Sequence, residues 1–175
     1  MQKAEFVRNT ERLAGPLDLE LAEGARLALT FPTAREASIV AMMAAAVVKA
    51  TTGNVFIEEF DPRIQPTQCK RSVGYVPHEI PSFVFSSFER YIEYRAALWS
   101  LDPERAVAHA KLLLEQLPGI HESFAYPLAG ALIASPRMLV LERPQSVYAK
   151  QIFDVAGNCA TFSTHISARE AAAFA

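Results

Sequence analysis

Two apolar segments late in the chain end in side chains that handle protons and metal ions. Residues 138–141 are apolar and Glu142 follows them, and a second apolar run over residues 159–164 ends at His165. An acid and a histidine at the ends of two buried strands are typical of the later half of a phosphate-handling α/β site. Arg143, however, stands where such sites place a second, catalytic acid. The sequence therefore predicts that the strands of such a site are present and that its catalytic acid is absent.

The elements that would position these side chains are predicted from hydrophobic periodicity, helix caps and turn residues. The predicted strands cover residues 17–21, 26–30, 54–60, 72–76, 138–141 and 159–163. The predicted helices cover residues 34–49, 86–100, 102–117, 126–134, 145–156 and 168–174, and residues 62–70 are expected to form a polar connection. Thr33 with Glu36, and Ser86 with Glu89, match the capping-box pattern that starts a helix. This order predicts an α/β sheet into which a mainly helical lobe is inserted.

The bulk composition limits the class of protein. The chain has 175 residues, is 51% hydrophobic and carries a net charge of -2, which fits one soluble domain over residues 1–175 and makes nucleic acid an unexpected partner. The longest uncharged apolar run, residues 39–48, is about half of what a membrane span needs. The first residues lack the apolar core of a signal peptide, and Cys69 and Cys159 have no metal-ligand spacing. We expect a cytoplasmic protein.

Four further segments, in this order, resemble motifs of the nucleotide-binding domain of ABC transporters. They are Thr51-Thr-Gly-Asn-Val-Phe-Ile, Val73-Gly-Tyr-Val-Pro-His78, the run from Leu128 to Pro144, and Phe162-Ser-Thr-His165. The resemblance extends roughly from residue 17 to residue 166. It implies a P-loop NTPase-like core with a mainly parallel sheet, an antiparallel β portion near the N-terminus and a shortened helical subdomain at approximately residues 82–127.

The phosphate loop of that family is the first element from which this chain departs. Such a loop needs glycines, whose backbone N–H groups converge on the phosphates, and a lysine that holds the outer phosphates. The corresponding stretch, residues 31–38, has no glycine, and Ala37 stands at the lysine position. Only Ser38 fits, as the magnesium-binding hydroxyl. Arg35 is a possible substitute for the lysine. Glu36 is read either as a plain capping residue or as a built-in anion that repels nucleotide.

The other positions that the resemblance marks are altered as well. His78 replaces the glutamine that senses the third phosphate, and Glu142 replaces the aspartate that coordinates magnesium. Arg143 replaces the general base, and a guanidinium stays protonated at physiological pH and so accepts no proton from water. His165 remains at the switch-histidine position, and residues 121–127 contain no signature motif. We therefore predict no catalytic residue, no bound nucleotide, no metal and no cofactor.

Three functions follow from these departures. The first is a catalytically inactive ABC ATPase-like protein that acts as an interaction or regulatory subunit, with an ABC-type ATPase, a transporter or an envelope component as partner, possibly at the inner face of the membrane. The second is an atypical ATP-binding subunit that uses Ser38, Glu142, His78 and His165 with ATP and magnesium. The third is a sensor whose ligand reuses the nucleotide cleft. A dimer that sandwiches nucleotide is not expected, although another homodimer remains possible.

An aromatic cluster is the feature that suggests a docking surface. Its members lie in or near the predicted helical lobe: Phe83, Phe85, Phe88, Tyr91, Tyr94 and Trp99. Aromatic side chains carry much of the binding energy of protein interfaces. The alternative is that most of them fill the core of the lobe itself.

Overall fold

The computed structural model describes residues 1–78 and 85–175, which form seven strands and seven helices. The strands are β1 (Gln2–Arg8), β2 (Glu11–Leu17), β3 (Arg26–Thr30), β4 (Thr52–Asn54), β5 (Val73–Val76), β6 (Met138–Glu142) and β7 (Ala160–His165). The helices are α1 (Ala34–Ala44), α2 (Pro66–Ser72), α3 (Phe88–Leu98), α4 (Pro103–Glu115), α5 (Glu122–Leu132), α6 (Ala149–Ala156) and α7 (Ala168–Ala171), with a 3-10 turn at Ser146–Tyr148. Within the described residues, none of the helices is both long and apolar enough to cross a membrane.

The main sheet has four parallel strands in the order β3-β7-β6-β5. Its central strands are covered on both faces. Val140 and Phe162 pack against α1 on one face, whereas Leu139 and Leu141 on the other face belong to a core cluster that includes residues of α4, α5 and α6. Strands that are buried on both sides read as continuous apolar runs, as β6 and β7 do. The carboxyl ends of all four strands meet at one edge of the sheet, which we call the carboxyl edge.

A second, antiparallel sheet has the order β2-β1-β4 and lies near the N-terminus. The predicted combination of a mainly parallel sheet with an antiparallel β portion is therefore confirmed. The predicted strand at residues 17–21 is wrong, because Leu17 is the last residue of β2 and pairs with Ala4. Beyond the end of β2, Leu19 still exchanges two backbone hydrogen bonds with Met1 (3.0 and 2.6 Å), whereas Leu21 packs onto the α1 side of the core outside any strand.

The predicted strand at residues 54–60 is also wrong. Strand β4 ends at Asn54, and Ile57 and Phe60 exchange both backbone hydrogen bonds (3.0 Å each) across a tight turn. Residues 62–70, predicted as a polar connection, contain most of α2. That helix begins with Pro66 at its first position, where the missing N–H has no cost, and buries Cys69.

Several helix boundaries differ from the sequence prediction, among them the start of α6 at Ala149 instead of residue 145 and the end of α7 at Ala171 instead of residue 174. Helix α1 ends at Ala44 instead of residue 49, because Ala46 adopts a left-handed conformation (φ 55°) and Val47 N–H bonds back to the Met42 carbonyl oxygen (2.8 Å). This closure usually uses glycine, so the sequence carries no sign of it. The cap of α3 is Ser87, which accepts from the Arg90 N–H (3.3 Å), and not Ser86. Helix α5 begins at Glu122 rather than residue 126 and contains a proline.

Helices α3, α4 and α5 pack on one another, and α5 packs on β5 of the main sheet. Residues 82–84 of the predicted lobe lie outside the described residues. The aromatic cluster divides between core and surface, and Phe83 also falls outside. Phe88 is buried against Tyr126, with ring centroids 4.6 Å apart. Tyr94 is 51% exposed. The lobe therefore fills its own core with part of the cluster and leaves part of it at the surface.

Gly74 in β5 permits the close approach of α5 to the sheet. A Cβ atom at this position would lie 2.8 Å from the Ala131 carbonyl oxygen and 3.1 Å from the Pro136 ring. Because the nearest atom belongs to the backbone, we expect Gly74→Ala to destabilise the protein by about 2–3 kcal/mol in urea unfolding. Gly119→Ala is the control, since nothing lies within 4 Å of its Cβ position; its positive φ alone costs about 1 kcal/mol. Equal stabilities of the two variants would contradict the prediction.

Candidate functional site

The carboxyl edge of the main sheet collects most of the side chains that the sequence marked. Glu142 and His165 are the last residues of β6 and β7, and His78 lies two residues beyond β5. Ser38 enters from the second turn of α1, which follows β3. In open α/β sheets this edge is where ligands bind. The arrangement of its polar groups therefore decides what chemistry remains.

The carboxylate of Glu142 is held by groups of the protein itself. It is only 7% exposed, and its Oε1 atom accepts a short hydrogen bond from the Ser38 hydroxyl. Its Oε2 atom accepts from the Tyr75 hydroxyl (2.6 Å). Ser38 Oγ also lies 2.9 Å from the Ala34 carbonyl oxygen of its own helix. Both carboxylate oxygens thus have donors from two different elements of the fold.

Arg143 supplies the positive charge next to this carboxylate. Its Nη2 atom lies 3.6 Å from Glu142 Oε1, and its side chain is 16% exposed. Burial raises the pKa of Glu142, but the hydrogen bonds from Ser38 and Tyr75, with the charge of Arg143, outweigh burial and leave the pKa lowered. For Tyr75, burial and then the bond to Glu142 raise the pKa of the phenol. Glu142 is therefore ionised and Tyr75 neutral at physiological pH.

The arrangement does not fit a magnesium ion. The two groups that the resemblance assigns to magnesium, the Ser38 hydroxyl and the Glu142 carboxylate, bind each other instead. A cation beside Glu142 would also lie close to the Arg143 guanidinium, which repels it. Within residues 1–78 and 85–175, no group of three or more His, Cys, Asp or Glu side chains is placed to hold a metal ion.

Most of the stretch that corresponds to the phosphate loop, residues 31–38, forms the start of helix α1. Only residues 31–33 connect β3 to α1. Thr33 caps the helix, with its side chain accepting from Glu36 N–H (3.1 Å), and Ala37 N–H bonds to the Thr33 carbonyl oxygen (3.1 Å). Ala37, at the lysine position, is 0% exposed. Two backbone N–H groups of this stretch are thus already used inside the helix, and position 37 faces the core.

The two histidines of the site have different environments. His78 is exposed, and its Nδ1 atom lies 3.2 Å from the Arg143 carbonyl oxygen. His165 is 0% exposed, with Nε2 2.9 Å from Ser163 Oγ and the ring against Phe174 (centroids 5.2 Å apart). Among the described residues, its Nδ1 atom has no hydrogen-bond partner. His165 is therefore buried in the core of the domain, whereas His78 is exposed to solvent.

His165 makes the stability depend on pH. Burial lowers its pKa below the ordinary value of 6.5, and the negative charge of Glu170 offsets this only in part. Below that value the unfolded chain binds a proton that the folded chain excludes, so the free energy of unfolding falls as the pH drops. We expect the free energy of unfolding to start falling as the pH drops toward 6.5 and to keep falling until the lowered folded pKa is reached. His165→Gln should flatten this slope, and the exposed His109→Gln should not; an unchanged slope in His165→Gln would contradict the assignment.

Two polar residues of the site were not singled out from the sequence. Tyr75 pairs in register with Val140, so it points to the same face of the sheet as Glu142. Thr164 pairs in register with Glu142, is 0% exposed, and has an Oγ1 atom without a partner among the described residues. Both follow from the order of the parallel strands combined with their alternation. Local periodicity does not give this strand order, so it could not place Tyr75 and Thr164 in the site.

The stretch that would carry the signature motif forms the start of α5. His121 caps this helix, and its Nδ1 atom accepts from Ser123 N–H (3.2 Å). Glu122 occupies the first turn, as Glu36 does in α1. A carboxylate in the first turn is stabilised by the helix dipole and occupies the region where an anionic ligand would bind.

Comparison with known proteins identifies the architecture. The sequence matches no family model. The ATP-binding subunit of an ABC transporter superimposes with a TM-score of 0.80 at 10% identity, covering 99% of this chain and 81% of that one. The cassette MJ0796 of a bacterial ABC transporter, solved as a dimer, gives 0.77 at 14% identity over 99% and 90% of the two chains.

A third structure agrees with these two. CbiO1 from Clostridium perfringens, part of the transporter complex cbiONQ, has a TM-score of 0.73 at 13% identity, covering 94% of this chain and 76% of that chain. At 10–14% sequence identity, structural similarity establishes the fold and does not establish the activity. The chain therefore has the fold of an ABC transporter ATP-binding domain.

Proposed function

We propose that this protein is a catalytically inactive relative of the ABC ATPases that acts by binding a protein partner. The observation that carries the proposal is that the Glu142 carboxylate, which the resemblance assigns to magnesium, is already in contact with groups of the protein itself. These groups are the hydroxyls of Ser38 and Tyr75 and the guanidinium of Arg143. An ionised carboxylate with three internal partners is stable without a ligand. Residues 1–175 would form one domain, whose helical part spans approximately residues 82–127.

Phosphate binding is disfavoured at both helix starts that the resemblance marks. Helix α1 follows a connection of residues 31–33 and carries Glu36 in its first turn, and helix α5 carries Glu122 in its first turn. Nucleotide phosphates would meet carboxylates there instead of glycine amides and a lysine. Arg143 at the general-base position accepts no proton from water. Hydrolysis therefore lacks a phosphate cradle and a base together.

The partner-binding part of the proposal is supported by exposed apolar side chains, two of them near the same edge and two on helix α3. Val147 is 75% exposed just beyond β6, and Ile166 is 49% exposed immediately after β7. On α3, Tyr94 and Leu98 are four residues apart and are 51% and 52% exposed. Apolar side chains at these positions would be buried by a protein partner. An ABC-type ATPase, a transporter or an envelope component, bound from the cytoplasm at the inner face of the membrane, is the partner class that we propose.

Equilibrium binding of ATP with magnesium tests the first half of the proposal. Isothermal titration should show no saturable heat at millimolar ATP. Micromolar affinity that falls in Ser38→Ala would instead support the second candidate, an atypical ATP-binding subunit, because Ser38 and Glu142 are still adjacent.

Site-specific cross-linking tests the second half. A photoreactive residue at position 147 or 94 should capture a defined protein that then binds the purified chain in a reconstituted assay. The same probe at Leu112, which is 56% exposed on α4, is the matched control. Capture at Leu112 alone, or loss of binding only when α4 is altered, would move the interface away from the positions proposed.

A further inference from the structure

A cavity lies at the edge of the main sheet opposite the candidate site. This cleft, which we call the amino-edge cleft, has a volume of about 760 Å³. Its floor is formed by the starts of β6 and β7 and by the end of α1, and its walls by residues 19–23 and 55–58. The apolar part of the lining includes Leu19, Leu21, Val55, Ile57, Met138 and Phe162. Sites for small organic ligands have volumes of about 300–1,000 Å³ and predominantly apolar walls.

One wall of the amino-edge cleft contains three polar side chains that contact one another, those of Glu58, Arg137 and Ser72. Glu58 Oε1 lies 3.0 Å from Arg137 Nε, and Glu58 Oε2 accepts from the Ser72 hydroxyl (3.0 Å). Glu58 has a left-handed backbone (φ 56°) at the first position of the turn between Ile57 and Phe60, where glycine is favoured. Strained non-glycine residues cluster at ligand sites, where their side chain is needed. The carboxylate of Glu58 thereby neutralises Arg137, the one cationic side chain that lines the cleft among residues 1–78 and 85–175.

The remaining charge at the mouth is negative. Glu20 and Glu23 line the cleft and are exposed, and within the described part of the chain neither forms an ion pair. The amino group of Met1 lies nearby and donates to the Leu19 carbonyl oxygen (2.6 Å); burial lowers its pKa, while the charges of Asp18 and Glu20 raise it. A ligand that enters this mouth therefore meets more carboxylate than cationic charge.

We propose that the amino-edge cleft binds a small amphipathic cation, with its apolar body against the aliphatic walls and an ammonium or guanidinium group at Glu20 and Glu23. An anionic ligand would find Arg137, which is already paired with Glu58, and the Met1 amino group, which is bonded to Leu19 and lies near the negative charges of Asp18 and Glu20. This site lies at the far edge of the sheet from Glu142 and does not rest on the proposed loss of ATPase function.

Matched probes of one chain length test this proposal on the whole protein. Octylammonium and octanoate, both below their micellar concentrations, are titrated while the methyl resonances of Leu19, Val55 and Ile57 are followed by NMR. We expect octylammonium to shift these signals saturably, with a dissociation constant about fivefold lower than that of octanoate. The double variant Glu20→Gln/Glu23→Gln should remove this preference, and Ala22→Trp, at an exposed rim position, should weaken both probes.

Glu115→Gln is the matched control, because it removes one exposed carboxylate from α4 and leaves the cleft unchanged. Circular dichroism verifies that every variant is folded. Equal or tighter binding of octanoate, shifts confined to other parts of the protein, or no saturation by either probe at millimolar concentration would each overturn the proposal. So would a preference for octylammonium that persists in the double variant.

Discussion

Replacing Ala37 with lysine will destabilise this protein instead of restoring a nucleotide site. The Ala37 side chain is fully buried on the core-facing side of α1, among residues that pack on Val140 and Phe162. An ammonium placed there loses its hydration and finds an apolar cluster. We expect the free energy of unfolding to fall by about 4 kcal/mol or more, measured by urea unfolding. No affinity for ATP with magnesium should appear.

The neighbouring Arg35→Lys is the control, because Arg35 is exposed on the same helix and should tolerate the change within about 0.5 kcal/mol. The result that contradicts the prediction is a folded Ala37→Lys variant that binds ATP. Such a variant would mean that the start of α1 rearranges into a phosphate loop when its lysine returns.

Replacing Glu142 with alanine is expected to have an effect of similar size. The change leaves the Ser38 and Tyr75 hydroxyls without an acceptor and the Arg143 guanidinium, 16% exposed, without its counter-charge. Breaking a buried pair in this way costs about 3–5 kcal/mol. Tyr75→Phe, which removes a single hydrogen bond to the carboxylate, should cost about 1.5–3 kcal/mol. Both are measured by urea unfolding at neutral pH.

The pH dependence and a double variant identify the cause. The pKa of Glu142 is lowered in the folded protein, so its stabilisation is present above the unfolded value of 4.5 and is lost as the pH falls through the folded pKa. This window lies below that of His165. The double variant Glu142→Ala/Arg143→Ala should be more stable than the sum of the single changes implies, because it removes both charges. A Glu142→Ala protein as stable as the parent would show that the carboxylate is not structural.

The fold could be predicted from the sequence to the extent that its signals are local. The apolar runs of β6 and β7 and the Thr33 cap all appear as expected. The end of α1 could not be predicted, since Ala46 adopts a conformation that glycine normally provides. Residues 17–21 were misassigned because alternation reports burial on one side and does not show where a strand begins or ends, and β2 already runs from Glu11 to Leu17.

The candidate site, too, could be predicted from the sequence only in part. Ser38 and Glu142 could be placed at one edge from motif spacing, because parallel strands end together. Tyr75 could not be assigned a role, because its contact with Glu142 (2.6 Å) depends on which strand lies next to β6. Likewise, only the tertiary structure shows that Arg143 turns back on its neighbour, with a left-handed backbone (φ 46°).

The contact between Arg143 and Glu142 also bears on how this sequence could change toward a hydrolytic site. Arg143→Glu alone would set two carboxylates side by side without the cation that now lies next to Glu142, and lysine at position 37 would be buried among apolar side chains. Each of these two substitutions is therefore expected to destabilise the fold by itself. Under the proposed function, single substitutions toward the ATPase motifs would thus be opposed by the loss of stability that each one causes.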